Sequence, residues 1–156
     1  MLSAIANTFK KILGNKAERD LKEVGPLLEK IKEAYVSINK LSNDELRAKT
    51  HEFKLKIQDY ISSELTQIET LKKNAETEEE IEKKEAIYEE IDAIEDSING
   101  KLETILEELL PEAFSVIKET AKRFKDNEII EVTASEMDRD IAAHKDNVAI
   151  QGEKAH

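Results

Sequence analysis

The sequence contains no cysteine. Disulfides, thiolate metal sites and a thiol nucleophile are therefore excluded, a usage that suits a reducing cytosol. It also lacks a long apolar run. Crossing a bilayer takes roughly 20 apolar residues, and nothing here approaches that length. The N-terminus has neither an unbroken apolar core nor a signal cleavage site, so a chain neither integral to a membrane nor secreted is expected. Apolar residues make up 39% of the chain, below the roughly 45–50% usual in globular proteins, so the core should be thin and part of the chain should lean on something else. His51, His144 and His156 are far apart, with no metal-ligating neighbour at helical spacing, and read as surface residues. The glutamates at 78–80 and 107–108 have no histidine beside them and read as solvated helix surface. Nothing resembles a nucleophile elbow, so neither catalysis nor a metal site is expected within these residues.

Charge is abundant and unevenly placed. The net charge is −11, and the segment from Glu64 to Glu112 alone holds 17 acidic and 5 basic residues, which accounts for the whole excess. A nucleic acid partner is not expected, because phosphate binding needs a clustered basic surface. The first 17 residues depart from this pattern, with Lys10, Lys11 and Lys16 and no acid. Leu2, Ile5, Phe9, Ile12 and Leu13 recur there at steps of three and four, which at about 100° per residue places them on one helical face. Such a helix either seeks an anionic lipid surface or packs on a core; the residues alone favour neither.

Apolar residues at Leu21, Val24, Leu28, Ile31, Tyr35, Ile38 and Leu41 predict a second helix, firm from about Gly25 because Pro26 is best tolerated at a helix start. Ser42 and Glu45 form a capping-box pattern that predicts a new helix. Its apolar residues Leu46, Phe53, Ile57, Ile61, Leu65, Ile68 and Leu71 keep the roughly 3.5-residue spacing of a seam between helices. The partner is read after Thr77, where Thr77 and Glu80 repeat the capping pattern. Ile81, Tyr88, Ile91, Ile98, Leu102, Ile105 and Leu109 carry the seam, interrupted by Lys84 and Glu95. With a polar turn KNAETEEE between the arms, the geometry is an antiparallel hairpin. Asn99-Gly100 is a candidate bend, and Pro111 a candidate start for a further helix lined by Phe114, Ile117, Ala121 and Phe124. Beyond Asp126, EIIEVT and NVAIQG read as two strands flanking a helix capped by Ser135, too little for an independent sheet.

Two stretches, LSNDELRAKTHEF (Leu41 to Phe53) and LPEAFSVIKETAKRF (Leu110 to Phe124), resemble the start of the SecA family of preprotein translocase ATPases, and MLSAIANTFKKILGNKAERDLK fits the basic amphipathic helix that precedes them in that family. The acidic segment between the two stretches resembles an insertion found in a subset of the family. The resemblance implies an ATP-driven motor, using ATP and Mg, that moves preproteins through the SecYEG channel. It assigns Leu2, Ile5, Phe9, Lys10, Lys11, Ile12, Leu13 and Lys16 to an anionic phospholipid surface and the channel. The GEGKT phosphate loop, the acidic Mg-binding motif and the adenine-contacting glutamine, which the resemblance places downstream of Lys154, are not in this sequence. No cofactor is therefore expected within the chain, which by itself should not hydrolyse ATP.

The expected fold class is mainly α: an amphipathic N-terminal helix, long helices with an antiparallel hairpin insert, and short β segments near the C-terminus. The expected organisation is a membrane- and channel-seeking helix at 1–17, a helical region at 18–58 and an acidic hairpin at 59–109. A helix packing on the rest of the SecA motor follows at 110–125, then a strand-helix-strand tail at 126–156 leading to the nucleotide-binding fold. The expected location is cytoplasmic, peripheral to the inner face of the plasma membrane. The rival reading is a free-standing, membrane-tethered helical adaptor that binds a protein partner.

Overall fold

The computed structural model describes residues 16–156, with side chains from Lys22 onward. Among these residues four helices lead into a small sheet that a fifth interrupts: α1 (Lys16–Ile38), α2 (Asn43–Tyr60), α3 (Ser62–Thr77), α4 (Ile81–Asp126), β1 (Val132–Thr133), α5 (Glu136–His144), β2 (Ile150–Gln151) and β3 (Lys154–Ala155). The mainly α class with short C-terminal strands is what the sequence led us to expect. The proposed N-terminal helix, with Leu2, Ile5, Phe9, Lys10, Lys11, Ile12 and Leu13, lies outside the described residues.

The 46-residue α4 is the spine. α1 runs parallel to its C-terminal half, since the Ile31 carbonyl meets Ser115 and Tyr35 meets Glu119. α2 and α3 together run antiparallel to it, Asn43 lying against Arg123, Lys49 against Glu112 and Glu64 against Lys101. Ile38, Leu46, Ile105 and Leu109 are buried along this spine. The hairpin of α3 and the N-terminal part of α4 has its own apolar cluster, in which Ile68, Ile91 and Ile98 are packed by Ile61, Leu71, Ile87, Ile94 and Leu102. Each fully buried isoleucine contributes about 1.5–3 kcal/mol, so this thin seam carries the hairpin's stability.

The helix breaks differ from the sequence reading in several places. α1 starts by Lys16 rather than near Gly25 and carries Pro26 in its interior. Pro26 and Lys22 are both exposed, so water can reach the carbonyl that the missing N–H leaves unpaired. α4 passes unbroken through both Gly100 and Pro111, because α1, α2 and α3 pack along it and override the local preference. Conversely, the helix begun at Asn43 breaks at Ile61, where φ is −110° and ψ is 6°.

The seam is also rephased. The inward residues of α4 include Ile87 and Ile94, whereas Tyr88 is 49% exposed and Glu95 faces solvent. An isoleucine buries its whole side chain, while a tyrosine hydroxyl needs a polar partner. Lys84 is half-buried on the seam, as read. Thr77 caps nothing: α3 continues to it, its hydroxyl donates to the Asn74 carbonyl, and α4 begins after Glu80 without a side-chain cap. The turn is thus only Glu78 to Glu80, and Ala75, expected within it, is fully buried.

At the C-terminus the strand order is β1-β3-β2, antiparallel throughout, with Val132 and Ile150 both opposite Ala155. The third strand arises because Gly152, at φ +60°, lets the chain reverse between Gln151 and Lys154.

Candidate functional site

The stretches 41–53 and 110–124 meet in space. Arg123, near the end of α4, donates through Nη2 to the Leu41 carbonyl (2.6 Å), through Nη1 to Asn43 Oδ1 (2.8 Å) and through Nε to Glu119 Oε1 (2.9 Å). Glu119 is only 4% exposed and also accepts from the Tyr35 hydroxyl at 2.7 Å. Burial alone would raise the Glu119 pKa, but the hydrogen bonds from Tyr35 and Arg123 outweigh it and hold the carboxyl below its ordinary value. The same bond raises the pKa of Tyr35, whose phenol keeps its proton to donate it. The Lys118 ammonium sits 4.0 Å from the centre of the Tyr35 ring, a cation–π contact that covers the node. One turn earlier, the buried Ser115 hydroxyl bridges the Ile31 and Pro111 carbonyls at 2.9 Å each, tying α1 to α4.

The first stretch also holds the tail. Ser42 caps α2, accepting from the Glu45 N–H while Glu45 Oε2 accepts from the Ser42 N–H at 2.7 Å, and this lowers the Glu45 pKa. Asp44 accepts from both the hydroxyl and the N–H of Thr133 at 2.7 Å, which places its carboxyl below the usual range. Asn43 donates to the Glu131 carbonyl at 3.0 Å. Arg47 donates to Ser135 Oγ and pairs with Asp138, each at 2.8 Å. Arg47 first and Ser135 after it, working against burial, bring Asp138 down to about 2. Ser135 caps α5 through its own capping box, as its sequence predicts.

Between α2, α4 and the tail runs a groove of about 820 Å³, whose apolar wall includes Leu46, Val116, Phe124, Ile129 and Val132. Arg47 and Arg123 reach it, but both are engaged in the pairs above. Among the described residues no buried side-chain polar atom lacks a partner. Arg47 and Arg123 are thus spent on holding the elements together, and the apolar wall of the groove faces a polar rim that includes Glu128, Asp146 and His156. Phe114 and Ile117 stand 47% and 65% exposed on α4 away from the groove, and Phe124, at the groove's edge, is 70% exposed.

Of the residues assigned to membrane contact, Lys16 is the first of α1, its side chain outside those described, and the other seven precede the described residues. His51 is exposed on α2, His156 borders the groove, and His144 ends α5, exposed, with its Nδ1 2.9 Å from the Asp140 carbonyl. Among the described residues no group of three His, Cys, Asp or Glu side chains is placed to hold a metal, and no helix is long and apolar enough to cross a membrane. The node itself, Tyr35, Asn43, Asp44, Arg47, Glu119 and Arg123, was not singled out by spacing. Its signal was the pair of stretches that contain all of it except Tyr35.

Residues 9–149 match the family model described as the SecA DEAD-like domain. Among curated proteins, the chain is 52% identical over 145 residues to the protein translocase subunit SecA of Parabacteroides distasonis, covering 93% of this chain and 13% of that protein. It is 46% identical over 145 residues to the SecA of Porphyromonas gingivalis strain W83, with the same coverage, and 42% identical over 154 residues to that of Flavobacterium psychrophilum, covering 99% of this chain and 14% of that protein. The chain thus spans about one seventh or less of the length of these relatives. No solved structure matches it.

Proposed function

From the premise that this chain belongs to the SecA family, we propose that it is the N-terminal part of an ATP-driven preprotein translocase motor acting at the SecYEG channel. The observation that carries this reading is the 52% identity to a translocase subunit across 93% of the chain. Within that motor, residues 1–17 seek the membrane and channel, 18–58 and 110–125 form a helical base, 59–109 add an acidic hairpin, and 126–156 lead toward the nucleotide-binding fold. The exposed face of Phe114, Ile117 and Phe124 supports a base that packs on further protein.

ATP and Mg belong to this reading as cofactors of the whole motor. The described residues do not fit them: Gly25 and Gly100 lie inside helices, Gly152 lies in a hairpin turn, and no acidic group is arranged around a cation. No residue here is assigned to nucleotide or metal, and the contribution of this segment is attachment and packing. Preprotein, channel and the rest of the motor are its partners, at the cytoplasmic face of the plasma membrane.

The test is a chimaera in which this chain replaces the matching segment of the Parabacteroides distasonis SecA, assayed for ATP-dependent preprotein import into inverted membrane vesicles. Import is expected. A chimaera that melts cooperatively and binds ATP but imports nothing overturns the reading. For the N-terminal segment, anionic vesicles but not neutral ones should retain the chain at low salt, through Leu2, Ile5, Phe9, Ile12 and Leu13 with Lys10, Lys11 and Lys16. Lys10→Glu with Lys11→Glu should abolish retention; equal retention on both lipids would refute the electrostatic part.

A further inference from the structure

We propose that the hairpin of α3 and the N-terminal part of α4 is a hinged arm that swings about the level of Ile61 and Gly100, with Lys101 as the clasp that holds it in line with the rest of the bundle. This is independent of the translocase reading, because it rests on the fold alone.

Both arms are soft at one level. On the first, the helix ladder ends: the Ile61 N–H bonds the Asp59 carbonyl, two residues back, and α3 starts afresh at Ser62 with no side-chain cap. On the second arm sits Gly100, which costs about 1 kcal/mol relative to alanine inside a helix. Packing does not demand a glycine there, since a Cβ at Gly100 would meet nothing within 4 Å. What the residue contributes is a backbone that bends easily.

The apolar core divides at the same level. Every member of the hairpin cluster lies between Ile61 and Leu102, and the next buried residues of α4, Ile105 and Leu109, are not part of it. Leu102 alone packs on this cluster from beyond Gly100, so the arm can reorient by giving up that one contact and keeping the rest of its core.

A single cation spans the break. The Lys101 ammonium pairs with Glu64 in the first turn of α3 and lies 5.7 Å from the centre of the ring of Tyr60, the last residue of α2. Glu64 also accepts from Ser63 Oγ at 2.8 Å, which orients it toward the pair. Lys101 therefore grips both sides of Ile61 from the facing helix, and its release leaves only the Ser62 hydroxyl, which donates to the Asp59 carbonyl at 2.8 Å, as a side-chain tie across the break.

The experiment uses the intact chain, which has no cysteine to interfere with labelling. Spin labels at Thr77→Cys, by the hairpin tip, and Lys125→Cys, at the far end of α4, report their separation by double electron–electron resonance. The parent should give one narrow distance distribution. Lys101→Met should at least double its width or add a second maximum, Lys101→Arg should restore it, and Gly100→Ala in the Lys101→Met background should narrow it again. Glu64→Gln breaks the same clasp with a smaller change of shape and keeps the test open should Lys101→Met fail to melt cooperatively. A width that neither Lys101→Met nor Glu64→Gln alters overturns the proposal.

Discussion

Arg123 shows how one side chain decides an architecture. It gathers the Leu41 carbonyl, Asn43 and Glu119, so its loss leaves a carboxylate that is 4% exposed with only Tyr35 for company. Arg123→Ala should therefore cost about 2–3 kcal/mol, the penalty of stranding a buried charged acceptor. For a chain of this size that lowers the melting point by roughly 4–12 °C, read by circular dichroism; an unchanged melting point would show that the node is ornamental. The lowered carboxylates carry a pH dependence. Glu64, held down first by Lys101, and Asp138, held down first by Arg47, both sit at about 2 in the folded chain, against about 4 when unfolded. A carboxylate depressed by folding stabilises fully above its unfolded pKa and loses that contribution as pH falls toward its folded one. The urea midpoint should thus hold from pH 7 to about 5 and fall between roughly 4.5 and 2. In Asp138→Asn that acid-side fall should be shallower, and an equally steep fall would show that Asp138 has no part in it.

Among the elements, similar capping patterns met different fates. Ser42 with Glu45 and Ser135 with Asp138 form reciprocal capping boxes, but Thr77 with Glu80 does not. The difference lies in what surrounds each: Ala75 is drawn fully into the hairpin, so α3 stays helical through Thr77 and the would-be cap becomes the last helical residue. Ser42→Ala should cost about 1 kcal/mol, the usual worth of an N-cap, whereas Thr77→Ala should be neutral within about 0.5 kcal/mol. Equal losses in a urea titration of both variants would contradict this assignment. α4 teaches the reverse lesson, since Gly100 and Pro111 both read as interruptions and neither interrupts. Packing on three other helices outweighs about 1 kcal/mol for glycine and about 3 kcal/mol for proline.

Across the whole molecule, the apolar surface is divided between a thin interior and an exposed outer face. Phe114, Ile117 and Phe124 face outward while Ser115 and Glu119, on the same helix, are buried. Polar residues inside and aromatic residues outside is the pattern of a helix with a second partner. Ile117→Ser with Phe124→Ser should leave the melting point of this chain nearly unchanged, because those side chains are already solvated. The double variant should reduce concentration-dependent association in sedimentation velocity and impair the chimaeric motor; a large loss of melting temperature in the isolated chain would place those residues in the core instead.

Composition and periodicity determined the mainly α class, the antiparallel hairpin, the caps at Ser42 and Ser135 and the apolar stripe of Phe114, Ile117 and Phe124, because each is a local property of spacing or of one residue with its near neighbours. The likeness to SecA was also legible, since it is carried by the contiguous stretches 41–53 and 110–124. Tertiary structure alone decided the break at Ile61, the continuity of α4 through Gly100 and Pro111, the choice of Ile87 over Tyr88 for the seam, and the node joining Tyr35, Asn43, Glu119 and Arg123. These depend on pairs as much as 84 residues apart, and no local pattern encodes which helix will cover a weak point or which carboxylate will receive an arginine.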